Sequence, residues 1–246
     1  MSEQSSDPSP NDALRTYETH YPDVVRAGSL QNALQAAADR AGHGLTIALT
    51  SSPGWRHVAA TVADRDRSAN AFMSQHDRTF LVDCWAGGIH MATGSTADLS
   101  EVAGAMKSWL SESGLRELVT RWNFLRTWEL ALAHERGDAI PVRWRRLREA
   151  ATRMNDAPFQ QMVEAAFEQP RLRVLSPGRS MYCLTFSRRA APPICDDLPR
   201  VMPVKHGGYR VWFPDGTLET VDDARQAIAL IVDGLPDDAV PWTPAT

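Results

Sequence analysis

Residues 205–232, KHGGYRVWFPDGTLETVDDARQAIALIV, repeat the build of residues 84–110, CWAGGIHMATGSTADLSEVAGAMKSWL. Each stretch has a Gly-Gly turn, a short apolar strand, a second glycine, an acidic helix start and an amphipathic helix. The chain around them repeats as well. In the first half, a helix is expected over 29–41 with Ser29 as N-cap, its apolar face formed by Leu30, Ala33, Leu34, Ala37 and Ala38. Strand-like runs at 45–50 and 55–63 flank a Ser-Ser-Pro-Gly turn, and a polar loop covers 64–78. A hairpin follows about Ala86-Gly87-Gly88, where glycine supplies positive φ. A helix over 99–112 then begins after Asp98, with Glu101 at capping-box spacing.

The second half keeps this order. It has a helix at 157–169, strands RLRVLS and MYCLTFS around Pro177-Gly178, and a Pro-rich loop over 188–200. Strands VMPVK and YRVWF flank His206-Gly207-Gly208, and a helix over about 221–234 begins after Thr220 with Asp223 three residues on. Gly54, Gly87 and Gly94 stand at near-constant separation from Gly178, Gly207 and Gly216. Between the halves, GLRELVTRWNFLRTWELALAHERG places Leu115, Leu118, Val119, Trp122, Leu125 and Leu132 on one face, as a buried central helix would. The helix after it turns Leu147, Ala150, Ala151 and Met154 inward.

Strands joined by tight turns form antiparallel sheets, and there is no regular β-α-β alternation. The expected fold is therefore α+β: two similar α-β-β-β-β-α lobes related by a pseudo-twofold, at 13–112 and 156–235, with a helical connector at 113–155. One copy is too small to bury its sheet well alone, which accounts for the duplication. Residues 1–12 are expected to be disordered and 236–246 to form a loose tail that Trp242 could anchor.

Composition narrows the function classes. The 43% hydrophobic and 23% charged content is that of a soluble globular chain, and no apolar run reaches membrane-span length. The N-terminus has no signal segment, so a cytoplasmic protein is expected. A net charge of −4 offers no electrostatic case for nucleic acid. Cys84, Cys183 and Cys195 make no metal-ligand pattern, so they are read as reduced thiols and no cofactor is expected.

The stretch Trp144-x-x-Leu147, the run PRLRVLSPGRSMYCLTFSRR at 170–189, PVKHGGYRVWFPDG at 203–216 and the last helix carry a resemblance. Over about 141–235 the chain resembles an actinobacterial family of unknown function whose members are often labelled natural-product biosynthesis proteins. The resemblance implies a pathway context and carries over no catalytic motif. The α-β hairpin repeat is also broadly similar to secretion chaperones and bacterial immunity proteins, which bind proteins.

Candidate site residues are few. Arg143, Arg145, Arg146 and Arg148 crowd one helix and read first as a solvated face that Glu149 and acidic residues of neighbouring helices could pair; the alternative is an exposed face shared by Arg145 and Arg148 for an acidic partner or a phosphate. His206 lies beside a hairpin turn and Trp212 borders the same hairpin, where either could contact a ligand. Asp83, Cys84 and His90 suggest a nucleophile set, but adjacent strand residues point to opposite faces, so Asp83 and Cys84 cannot act together. These features suggest a non-catalytic binding or accessory protein of natural-product biosynthesis, holding a peptide or small-molecule intermediate at the lobe interface. A cofactor-free tailoring enzyme, a cyclase or isomerase, and a chaperone-like or immunity protein are the alternatives. Neither nucleic acid nor membrane is an expected partner.

Overall fold

A computed structural model describes residues 13–50, 53–111 and 113–241. The expectations for residues 1–12 and for Trp242 lie outside them. The described residues form two compact units, the first ending at Leu132 and the second beginning at Ala133. Each contains an antiparallel sheet covered by helices, so the protein is α+β.

In the first unit, helices α1 (Pro22–Ala27), α2 (Leu30–Arg40) and α3 (Leu99–Leu110) accompany a six-stranded sheet. Its strands are β1 (Ala48–Leu49), β2 (Ala59–Asp64), β3 (Arg67–Met73), β4 (Phe80–Ala86), β5 (Ile89–Thr96) and β6 (Leu125–Arg126), paired in sequence order. The Ser29 side chain caps α2 by accepting from the Asn32 N–H at 3.1 Å, and the five expected apolar residues are buried. Asp98 caps α3 through Ser100, whereas Glu101 accepts from the Thr96 hydroxyl instead of closing a capping box. On the inner sheet face, Ala69 and Ala71 lie beside Phe80, Val82 and Cys84 against the helices.

Two expectations fail here. Residues 64–78 are not a loop throughout, because β3 pairs with β2 from Asp64↔Arg67 to Ala59↔Phe72, turning at Arg65 in a left-handed conformation (φ 52°). The connector is not one helix either. It divides into α4 (Leu115–Arg121), β6 and α5 (Glu129–Arg136). Helix α4 stops where the Trp122 indole settles on Gly104 of α3 and donates to Ser108 Oγ at 2.9 Å. Leu125-Arg126 then takes the edge of β5 opposite Gly94. Leu115, Leu118 and Leu125 thus serve the core of the first unit.

The first unit is also clamped by Arg78. Its guanidinium grips the Asp23 carboxylate through two bonds of 2.7 and 2.9 Å and donates to the carbonyls of His20 and Ala97. Those hydrogen bonds hold the Asp23 carboxyl below its ordinary value of 3.8, against the opposing effect of burial. A carboxylate whose folded pKa is depressed contributes stability above its unfolded pKa and loses it as pH falls through the folded value. Arg78→Ala should therefore remove part of the stability present at neutral pH and flatten its decline below about pH 4. An unchanged acid limb in urea titrations at stepped pH would show that the clamp contributes nothing.

In the second unit, α6 (Ala139–Met154), α7 (Ala157–Glu168), the short α8 (Pro170–Arg173) and α9 (Ala224–Asp233) accompany a five-stranded sheet. Its strands are β7 (Ser176–Ser180), β8 (Cys183–Ser187), β9 (Arg200–Pro203), β10 (Tyr209–Trp212) and β11 (Leu218–Val221), again paired in sequence order. Leu184, Phe186, Val201, Tyr209 and Val211 point into the helices.

Pro177-Gly178 is not the turn between the first two strands of this sheet. It lies within β7, and the chain reverses at Met181-Tyr182, with Met181 at φ 53°. Proline is tolerated because β7 is an edge strand. Gly178 has a packing reason, since a Cβ there would come within 2.5 Å of Thr185 Oγ1. Pro170 starts one turn of helix where a strand was expected. The last helix does not begin after Thr220. Residues 218–221 are β11, and Asp223 is itself the N-cap, accepting from the Arg225 N–H at 2.6 Å.

Both units therefore run through helices, a five-stranded meander and a closing helix, with two α-helices before the sheet in the first and three, counting the short α8, in the second; the first adds α4 and β6. The glycine turns do not correspond one for one. Gly87-Gly88 joins the fourth and fifth strands of its meander, Gly207-Gly208 the third and fourth. Gly94 lies inside β5, while Gly216 lies in the β10–β11 turn.

Candidate functional site

The face of the second sheet turned away from its helices carries a polar-aromatic site. Alternation decides which residues it holds. In β10, Tyr209 and Val211 are buried, so Arg210 and Trp212 share the other face. In β9, Val201 is buried and Arg200 lies on that other face; in β8, Leu184 and Phe186 are buried, which leaves Cys183 and Thr185 there. Leu218 and Thr220 join from β11 through their pairing with Trp212 and Arg210. The two cations among these strand residues are Arg200 and Arg210.

Both guanidinium groups lie 5.8 Å from the Trp212 ring centroid. Such placement favours a cation–π attraction and leaves the hydrogen-bonding edges of both arginines available for an anion. Arg200 also reaches Cys183, whose thiol burial pushes up and the arginine pulls down. Beside Trp212 a cavity of about 430 Å³ opens, lined among others by Thr185, Cys195, Asp196, Arg200 and Phe213. One wall is the 188–199 loop. Its shape depends on Ser187, whose hydroxyl accepts from the N–H groups of Arg189 at 3.1 Å and Cys195 at 3.2 Å. Arg188 anchors the loop to Asp197 and Asp238.

The other residues singled out in the sequence lie elsewhere. His206 is exposed in the β9–β10 turn. The turn requires Gly208, where φ is 79° and a Cβ would stand 2.7 Å from the Val221 carbonyl. Arg145 is exposed on α6 and lies 4.0 Å from Glu149. Arg148 is engaged within the fold. It reaches Glu164 on α7 at 2.7 Å and covers the Phe167 ring at 4.3 Å. The open face that Arg145 and Arg148 would share for a partner is thus broken by an α6–α7 tie. Arg200, Arg210 and Thr185 were not singled out from the sequence; alternation in YRVW puts Arg210 on the face of Trp212, and the β9–β10 register brings Arg200 beside it.

In the first unit, Asp83 and His90 meet and Cys84 does not join them. His90 Nε2 lies 3.0 Å from Asp83 Oδ1, which also accepts from the Thr93 hydroxyl at 2.7 Å. The imidazole stacks on Trp85 and meets the edge of Trp128, with ring centroids 4.7 and 4.9 Å away. Cys84 is fully buried on the opposite face, and burial pushes its thiol up to about 12. That excludes a thiolate nucleophile at neutral pH. The arrangement instead fixes an imidazole by a carboxylate in an aromatic setting.

Residues 138–246 match a family model described as Family of unknown function (DUF6193). The match begins at the N-cap of α6, takes in the second sheet with its Trp212 site, and covers less than half of the chain. No curated protein and no solved structure matches the chain. Among the described residues, no helix is long and apolar enough to cross a membrane, and no group of three His, Cys, Asp or Glu side chains could hold a metal ion.

Proposed function

We propose that this is a non-catalytic binding protein that holds a small-molecule intermediate or peptide bearing an anionic group beside an aromatic or other planar group. The observation that supports this reading is Trp212 flanked by Arg200 and Arg210 beside a cavity of about 430 Å³. Cavities of this size suit drug-sized ligands, with a few polar groups to orient them. The indole would supply the stacking surface and the guanidinium groups the anion contacts. The site lies within the second unit, so the reading needs no cleft between lobes. The resemblance of 141–235 to proteins labelled for natural-product biosynthesis suggests the pathway context, and the expected compartment is the cytoplasm.

The test is calorimetric titration of the full chain with a panel of aromatic carboxylates and short peptides rich in Asp and Tyr. At least one probe class should bind, and Trp212→Ala and Arg200→Gln should each weaken it about tenfold or more, equivalent to about 1.4 kcal/mol. Both side chains lie on the outer face, so the unfolding midpoint should move little. Binding that both variants leave intact would remove the site, and silence across the panel would remove the ligand class.

A further inference from the structure

We infer that the ligand of the Trp212 cavity is a zwitterion, an amino acid or short peptide whose ammonium group meets Asp196 while its carboxylate meets Arg200. The inference rests on the reading of Trp212 as a binding site and narrows what that site takes. Two of the residues lining the cavity of about 430 Å³ are charged, Asp196 and Arg200, one of each sign. They do not satisfy each other. Among the described residues, neither side chain forms an ion pair or a hydrogen bond. Both are exposed, so a ligand entering the cavity can reach them.

The fold holds both charges in place. Arg200 pairs directly with Trp212 across β9 and β10, and its guanidinium lies 5.8 Å from the ring centroid. Asp196 belongs to the 188–199 loop, but both of its chain neighbours are tied down. The Cys195 N–H donates to the Ser187 hydroxyl at 3.2 Å, and the Asp197 carboxylate meets Arg188 at 3.3 Å. The two adjacent aspartates therefore divide their work. Asp197 anchors the loop, and Asp196 is left with its charge unmatched at the cavity wall.

A ligand that is only an anion would bind Arg200 in the repulsive field of Asp196, and one that is only a cation would meet the reverse. A molecule with both signs matches both walls and forms charge-assisted hydrogen bonds at each. The remaining lining includes Phe186, Leu198, Phe213 and Pro214 beside the Trp212 indole. That surface suits an aromatic or aliphatic side chain carried by the same molecule.

The experiment is calorimetric titration of the full chain at neutral pH with two matched pairs of probes: phenylalanine against 3-phenylpropanoate, and glycylphenylalanine against N-acetylphenylalanine. The members of each pair differ by one ammonium group. In at least one pair the member with the ammonium should bind about fivefold tighter or more. A preference in the first pair marks a free amino acid, and one in the second a peptide. Asp196→Asn should abolish the preference, whereas Arg200→Gln should weaken both members of the pair. The comparison within each pair on the unaltered chain does not depend on either variant folding. Equal or tighter binding of the amine-free probes overturns the zwitterion while the anion-binding site beside Trp212 stands. A preference that survives Asp196→Asn overturns it as well. Silence from all four probes removes the site and this inference with it.

Discussion

Trp144→Ala is expected to destabilise the second unit by about 3–5 kcal/mol, the range for truncating a large buried aromatic side chain. Trp144 is 1% exposed. Its ring packs against Phe167 and Phe186, with centroids 5.6 and 6.2 Å away, and its Nε1 donates to the Leu175 carbonyl at 3.1 Å. One side chain thus joins α6 to α7, to β8 and to the residue just before β7. Alanine would remove the transfer energy of the indole, open a cavity and leave a buried carbonyl unpaired. Trp144→Phe keeps most of the volume and loses the hydrogen bond, so it should cost distinctly less. Each kcal/mol lowers the midpoint by roughly 2–8 °C for domains in this size range. Hydrogen exchange should show protection falling first in α6, α7 and the β7–β8 hairpin. A loss under about 1 kcal/mol for the alanine variant would mean that the neighbouring rings collapse into the space, and would remove Trp144 as the organising contact.

The same physics explains what was legible in the sequence. Helices α2, α3 and α7 each bury an apolar stripe behind a side-chain N-cap, at Ser29, Asp98 and Asp156, and both signals are local. Strand β3 was hidden because its inward residues include Ala69 and Ala71, small side chains that the helices require close to the sheet but that are poor strand markers. The connector misled for the opposite reason. Leu118, Trp122 and Leu125 keep helical spacing, yet a glycine in another helix and the free edge of another strand decide that the chain bends there. Pro177-Gly178 has the chemistry of a turn, and only its place on a sheet edge makes it strand. The candidate site shows the same limit. Trp212 stood out by residue type, whereas Arg200 becomes its neighbour through the β9–β10 register. Pairing of the arginine cluster by an acid of a neighbouring helix was legible as a class, but which arginine and which acid meet, Arg148 and Glu164, is decided by the packing of α6 on α7.

Gly94→Val should be the most damaging single change in the first unit, and its effect would come from backbone. Gly94 pairs with Val82 on one side and Leu125 on the other. A Cβ on Gly94 would run into the Phe124 carbonyl oxygen and lie 2.8 Å from the Phe124 carbonyl carbon and 2.9 Å from Leu125 Cα. A side chain could rotate away from such a clash; a peptide group held on both sides cannot. The Leu125 N–H is bonded to the Trp122 carbonyl at 2.9 Å, and the Thr127 hydroxyl to the Met91 carbonyl at 2.7 Å. Valine would therefore lever β6 off the sheet and expose Leu125, which is 4% accessible. The cost should reach or exceed the upper end of the about 1–3 kcal/mol typical of overpacking. Gly54→Val is the matched control, because nothing lies within 4 Å of a Cβ at Gly54 and its φ is not in the left-handed region. Protection of the 125–127 amides should fall in the Gly94 variant and not in the control. If the two variants melt together, β6 is a loosely attached edge, and the breaking of the connector at Trp122 needs another cause.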